Sequence, residues 1–324
     1  MRDVFLLALI VPSVFAAEYR PPEPVRPIKT LLLDWRDSTR DRVVPAKIYY
    51  PADAKGPSPV IIFSHGLGGS REGYAYLGEH WAGAGFVSVH LQHAGSDEGV
   101  WKEVGILQRM AAMKRAAADP RNAVNRTKDV SFAIDELARM NERDGVLPGR
   151  MDLKRIGVAG HSFGGHTALS IAGMNYSRGK LGDGRDERVN AAIQMSAPAA
   201  SKRVRTYAYD SVAIPVFHMT GTKDESPINS TTAEDRRIPY DHSKGEACFL
   251  NFDGGDHAVF SGRKRLSREA ARQDELFQRH VCRGSTAFWE AWLSGNESAK
   301  RWLLAGSFRT ELGQAGFFET RRIP

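Results

Sequence analysis

The stretch Val158-Ala159-Gly160-His161-Ser162-Phe163-Gly164-Gly165-His166 decides how the rest of this chain is read. The apolar run before it, Arg155-Ile156-Gly157-Val158-Ala159, predicts a buried strand. The run after it, Thr167-Ala168-Leu169-Ser170-Ile171-Ala172, predicts a helix. Between them, Gly160-x-Ser162-x-Gly164 has the form of a nucleophile elbow, a tight turn that holds a serine in a strained conformation with its hydroxyl exposed. Glycines two residues to either side leave no side chain to collide with the neighbouring strand and helix. Five residues alone are a weak pattern. The chain must also supply donors for an oxyanion, an acid and a histidine.

Working outward, Pro59-Val60-Ile61-Ile62-Phe63-Ser64 is a continuous apolar run, as a parallel strand covered on both faces requires. It ends in His65-Gly66-Leu67-Gly68-Gly69-Ser70. Further strands are predicted at 86–91, 190–195, 213–220 and, as the last, 246–252. Helical spacing runs from Glu72 to about Ala84, from Trp101 to Ala118, and from Arg268 to about Leu293 as one or two helices. Residues 125–137 form an amphipathic helix with Val130, Ala133, Ile134 and Leu137 on its apolar face, and its charges are read as the solvated face. Two strands at 29–35 and 43–50, joined by the turn Asp37-Ser38-Thr39-Arg40-Asp41, add an antiparallel edge. Strands alternating with helices give an α/β fold, a mostly parallel sheet with helices on both faces.

The chain has 324 residues and ordinary globular proportions, 42% hydrophobic and 26% charged. Its formal net charge of +7 is scattered, with small clusters such as Arg263-Lys264-Arg265. No basic stripe with interleaved aromatics appears, so nucleic-acid binding is not expected. Arg2, the apolar run from Val4 to Phe15, and Val14-Phe15-Ala16 read as a signal peptide over residues 1–16. The run is too short to span a membrane. The expected location is therefore secreted or periplasmic. A Pro-rich linker at 17–28 and a single domain at 29–324 follow, with 95–121 as a candidate cap segment. In an oxidising compartment, Cys248 and Cys282 are expected to form one disulfide, the alternative being two buried thiols. No set of residues has metal-ligand spacing, and neither metal nor cofactor is expected.

Serine is a poor nucleophile unless a base stands beside it, and the base needs a carboxylate to hold its tautomer. The order strand, loop, acid and then strand, loop, histidine occurs downstream. Gly221-Thr222-Lys223-Asp224-Glu225-Ser226-Pro227 offers Asp224 as the acid, with Glu225 as its rival. Asp253-Gly254-Gly255-Asp256-His257-Ala258 offers His257 as the base, while Asp256 is too close along the chain to reach that ring. His161 is read as packing beneath Ser162, His166 as lying on the following helix, and His65 as bracing the glycine loop. Backbone N–H groups of Phe163 and Leu67 are the oxyanion donors. Trp101 is a candidate pocket residue, and so are His90 and His93 at the end of a strand.

At Phe63-Ser64-His65-Gly66-Leu67-Gly68 and Gly160-His161-Ser162-Phe163-Gly164-Gly165 the chain resembles the α/β-hydrolase family, in particular its platelet-activating-factor acetylhydrolase and dienelactone-hydrolase-like branch. The resemblance runs loosely from Val43 to Trp292. It implies a carboxylester hydrolase without cofactor, with the triad Ser162, Asp224 and His257. True dienelactone hydrolases carry Cys where this chain has Ser162. Polyester hydrolases and cutinases are also similar, but place a third small residue where His166 stands.

The expectation is an exported serine esterase acting on a small-molecule or lipid-like ester through an acyl-enzyme. A polyester or carbohydrate esterase is the alternative activity. A non-catalytic binding protein on the same scaffold is the alternative class.

Overall fold

The computed structural model describes residues 19–176 and 184–322. The expected leader at 1–16 lies outside the described residues. The first half of the chain runs β1 (Ile28–Asp37), β2 (Arg42–Pro51), β3 (Ser58–Ser64), α1 (Ala75–Gly83), β4 (Val87–Leu91), α2 (Gly99–Lys102), α3 (Arg109–Ala118) and α4 (Pro120–Asn141). The second half runs β5 (Met151–His161), α5 (Phe163–Ile171), β6 (Val189–Met195), β7 (Val216–Lys223), α6 (Ile238–His242), β8 (Ala247–Asp256), α7 (Arg268–Trp292), α8 (Glu297–Leu304), α9 (Ser307–Leu312) and β9 (Gly316–Arg321).

Among the described residues, nine strands form one sheet in the order β1-β2-β4-β3-β5-β6-β7-β8-β9. Strands β4, β3, β5, β6, β7 and β8 are parallel, and β1, β2 and β9 are antiparallel to their neighbours. This is the α/β-hydrolase arrangement. The alternation along β3 shows why it holds together. Val60 and Ile62 face a core completed by α4 and α5, while Ile61 and Phe63 face a second core completed by α1 and α7. All seven residues of β3 are buried, which only a strand covered on both faces requires.

Helix α4 and strand β9 depart from the sequence reading. Helix α4 begins five residues before the expected start at 125, with Pro120 in its first turn and the Asp119 side chain accepting from Arg121 N–H. Its charges are not all solvated, since Arg126 and Asp129 are fully buried. Strand β9 was not foreseen. It is a six-residue edge strand with only Phe318 buried, too short for a periodic signal.

The expected Cys248–Cys282 disulfide does not form; both thiols are free and buried. Helix α7 runs antiparallel along β8, with Phe252 stacked on Phe277 at one end and Trp292 Nε1 donating to Glu246 Oε2 at the other. Cys248 pairs in register with Phe217, which packs on Phe288. Cys282 lies six residues earlier, about 9 Å along the helix axis, beside Pro24, Tyr76 and His80. Burial pushes the Cys282 thiol up to about 12, and that of Cys248 higher still. In the unreduced protein a thiol reagent should leave both cysteines unmodified while folded and titrate both once unfolded. An unfolded, unreduced chain with no free thiol would show that the bond exists.

Candidate active site

Four loops at the carboxyl edge of the sheet meet where β3 and β5 diverge in connection, the switch point at which open α/β sheets place ligands. The elbow follows β5. Ser162 has φ 55° and ψ −117°, a strained conformation for a residue with a side chain. Its N–H is fixed by Met195 O at 2.8 Å. A Cβ on Gly160 would lie 2.2 Å from the Gly164 carbonyl oxygen, and one on Gly164 would lie 1.7 Å from the Ser64 carbonyl oxygen. Only glycine fits at either position.

Asp224 follows β7 and His257 follows β8. His257 Nε2 lies 2.9 Å from Ser162 Oγ, and His257 Nδ1 lies 2.7 Å from Asp224 Oδ1. Thr220 Oγ1 donates to Asp224 Oδ2 at 2.8 Å. Glu225 and Asp256 are not part of this contact. Asp256 instead accepts from Arg265, and Glu225 caps Ala233 N–H.

Arg236, which no local sequence pattern marks, is the fourth member of the cluster. Its guanidinium is buried, with an N–H at 3.2 Å from Asp224 Oδ1 and others donating to Asp224 O and Ser196 O. Burial works to raise the Asp224 pKa, but the hydrogen bond from His257 and the Arg236 charge outweigh it and hold the carboxyl below its ordinary value. A negative Asp224 keeps the proton of His257 on Nδ1 and leaves Nε2 free to accept from Ser162.

His161 packs against His257, with ring centres 4.8 Å apart. Its Nε2–H donates to His257 O at 2.9 Å, so its Nδ1 accepts from Tyr74 OH at 2.8 Å. Tyr74 OH in turn accepts from Gly66 N–H at 3.3 Å. Burial drives His161 well below the ordinary histidine pKa. It is a neutral strut between the loop of His257 and the loop of Leu67, and not a base.

The N–H of Phe163 is the first of α5 and has no acceptor within its helix. Leu67 N–H makes no hydrogen bond among the described residues. Both residues line the same space, a cavity of about 240 Å³ beside Ser162, with His166 and Tyr176 also in its wall. His166 stacks on Tyr176 with ring centres 5.6 Å apart. Trp101 lines an adjoining cavity of about 280 Å³ and donates from Nε1 to Gly68 O at 2.8 Å. Ala117, Asp119 and Pro120 reach the wall of the Ser162 cavity, so the 95–121 segment lies on the loop side of the sheet.

His93 does not line the cavity. It is sealed beneath the loop, with Nε2 2.7 Å from Ser64 Oγ and Nδ1 2.9 Å from Asp129 Oδ2. Those are the residue types of a catalytic triad, but none of the three is exposed, and no substrate could reach them. His90 is likewise buried, between Ser88 and the Gly73 carbonyl.

Two consequences are measurable. Removing one partner of a buried charge pair costs about 3–5 kcal/mol, because it strands the other charge. Arg236→Met should therefore destabilise by about that amount in urea denaturation, and Arg236→Met with Asp224→Asn by clearly less than the sum of the single losses. Strict additivity would show that the two charges are not coupled. Burial also depresses His90 to about 3, His93 to about 4 and His218 to about 3. Folded-state values below the unfolded value near 6.5 contribute stability that is complete above that pH and is lost as pH falls toward them. The urea midpoint should decline steadily from pH 7 to pH 4. A flat profile would contradict the neutral, buried assignment.

Residues 36–103, which carry β2 to β4 and the glycine loop, match the family model described as platelet-activating factor acetylhydrolase, isoform II. A curated relative, the platelet-activating factor acetylhydrolase of Cavia porcellus, is 27% identical over 156 residues, covering 39% of this chain. The match spans 34% of the relative's own length. Over these segments the chain is similar to platelet-activating factor acetylhydrolases, and its sheet order is that of an α/β-hydrolase.

Proposed function

We propose that the protein is an exported serine carboxylester hydrolase whose catalytic residues are Ser162, His257 and Asp224. The observation that carries this reading is the unbroken chain Ser162 Oγ to His257 Nε2 at 2.9 Å and His257 Nδ1 to Asp224 Oδ1 at 2.7 Å. His257 accepts the serine proton as Oγ attacks the ester carbonyl. The tetrahedral oxyanion forms against the N–H groups of Phe163 and Leu67, and their fixed dipoles stabilise it. The tetrahedral intermediate collapses, His257 returns the proton to the departing alkoxide, and the acyl group remains on Ser162. Water, activated by the same imidazole, then releases the acid.

The small cavity beside Ser162 and its wall of Phe163, Tyr176 and Pro198 suit a short acyl chain. A lipid-like ester is the substrate class that best fits the family likeness. Export rests on the charged, apolar and small-residue pattern of residues 1–16.

A fluorophosphonate should label the folded protein at Ser162, and Ser162→Ala should abolish both labelling and ester turnover. His257→Ala should lose nearly as much, and the double variant no more than either, because the residues act as one unit. Among p-nitrophenyl esters, kcat/KM should be greatest for acetyl to butyryl and fall by at least about tenfold at decanoyl, as for a pocket that excludes extra methylenes. Absence of both labelling and turnover would refute the enzyme reading.

A further inference from the structure

Arg126 lies in the first half of α4, and its guanidinium is wholly buried beneath the glycine loop. Among the described residues it forms no ion pair. Its donors go to neutral oxygens instead: Nε to Thr167 Oγ1 at 3.0 Å, one terminal N–H to Ser96 Oγ at 2.8 Å, and the other to Ser64 Oγ at 3.3 Å and to the His65 carbonyl. The carboxylates of Asp129 and Asp97 act on it only through space, and burying a cation that no carboxylate touches is costly, so simple packing does not account for it. Burial pulls the guanidinium down to about 9, which leaves it charged at neutral pH.

Two of these acceptors, the His65 carbonyl and Thr167 Oγ1, lead to the oxyanion site. The peptide between His65 and Gly66 is held at both ends, its carbonyl by Arg126 and its N–H by Tyr74 OH. The next peptide carries the Leu67 N–H. Its carbonyl, Gly66 O, accepts from His65 Nδ1–H at 2.6 Å and from Gly69 N–H at 3.0 Å. In a trans peptide the N–H points opposite to the C=O, so anchoring Gly66 O aims the Leu67 N–H away from its own loop. The His65 tautomer is set in turn, because its Nε2 accepts from His93 N–H at 3.1 Å. On the other side of the site, Thr167 Oγ1 accepts from Arg126 and donates to Phe163 O at 3.0 Å. The Phe163 ring lies 4.6 Å from the guanidinium carbon.

Building on the serine-esterase reading, we infer that Arg126 is a positioning residue for the oxyanion site: one buried guanidinium ties the loop of Leu67 to the first turn of Phe163 and fixes the distance between the two donors. The cation also adds positive potential behind the developing oxyanion, in surroundings that screen it poorly.

Arg126→Lys keeps the charge but loses the planar fork that reaches four acceptors. With rates expressed per active site titrated by fluorophosphonate, kcat should fall by about 10- to 100-fold with KM changed less than about twofold, below the 10²–10³ of losing a donor outright. A trifluoromethyl ketone forms a hemiketal oxyanion on the serine. Its Ki should rise by the same factor as kcat/KM falls, while the Ki of the corresponding alcohol stays constant. A purely structural role would lower the melting temperature and the titratable fraction and leave kcat per site unchanged. That result would overturn the inference while the serine-esterase reading stood. Should Arg126→Lys not fold, Thr167→Val removes the link to Phe163 within nearly the same volume. It should lower kcat severalfold at constant KM, and an unchanged kcat would also overturn the inference. Wild-type protein that neither labels nor turns over esters would instead sink the underlying reading, and this inference with it.

Discussion

The backbone of the elbow touches the backbone of the loop after β3, and the rest of the site depends on that contact. No side chain fits at residue 164, because a Cβ there would occupy the place of the Ser64 carbonyl oxygen. This approach brings Ser162 and Phe163 against the loop that carries Leu67. It also explains the elbow glycines, which let two main chains meet, whereas in the loop Gly68 holds a φ of +72° and lies against Met113 and Trp101. Parallel pairing of β3 with β5, through Ser64 opposite Gly160, sets the height at which they meet.

Around that contact the protein buries an unusual amount of polar chemistry. Arg126, Asp129, His93, Ser64 and Ser96 are all shielded from water. Asp129 accepts from His93, Arg40 and Arg42, and the effects of His93 and Arg42 outweigh its burial and hold it at about 2. Each hydroxyl that accepts from Arg126 passes its own proton on, Ser96 to His93 O, Thr167 to Phe163 O, and Ser64 to His93 Nε2. A half-satisfied network would be worse than an apolar core. Here every hydroxyl and carboxylate of the cluster is engaged, one Nη of Arg40 alone lacking a partner among the described residues, and the result is a stiff support beneath the loop of Leu67 and the first turn of α5.

Much of the frame was legible in the sequence because the signals are local. The continuous apolar runs at 59–64 and 155–159 can only be strands buried on both faces, and the glycine spacing around Ser162 needs a tight turn. Asp224 and His257 were legible through their order after strands, a topological cue. Arg236, Tyr74 and Arg126 were not. Arg236 reaches Asp224 from twelve residues away through a loop, and Arg126 sits on a helix whose periodicity counts it with the polar face. Helical periodicity separates apolar from polar positions, but it cannot tell a solvated arginine from one turned under a neighbouring loop. His93 and the two cysteines went astray for a related reason. Proximity to a strand end, or an even count, does not tell which face a side chain takes.

The central claim is that the N–H groups of Leu67 and Phe163 are aimed at one point before any substrate arrives. A structure of the Ser162 phosphonate adduct tests this directly. The account predicts one phosphoryl oxygen within about 2.7–3.1 Å of both N–H groups, with the Gly66 carbonyl still bonded to His65 and Gly69. An oxygen turned toward solvent, or a Leu67 peptide flipped away from it, would contradict the account.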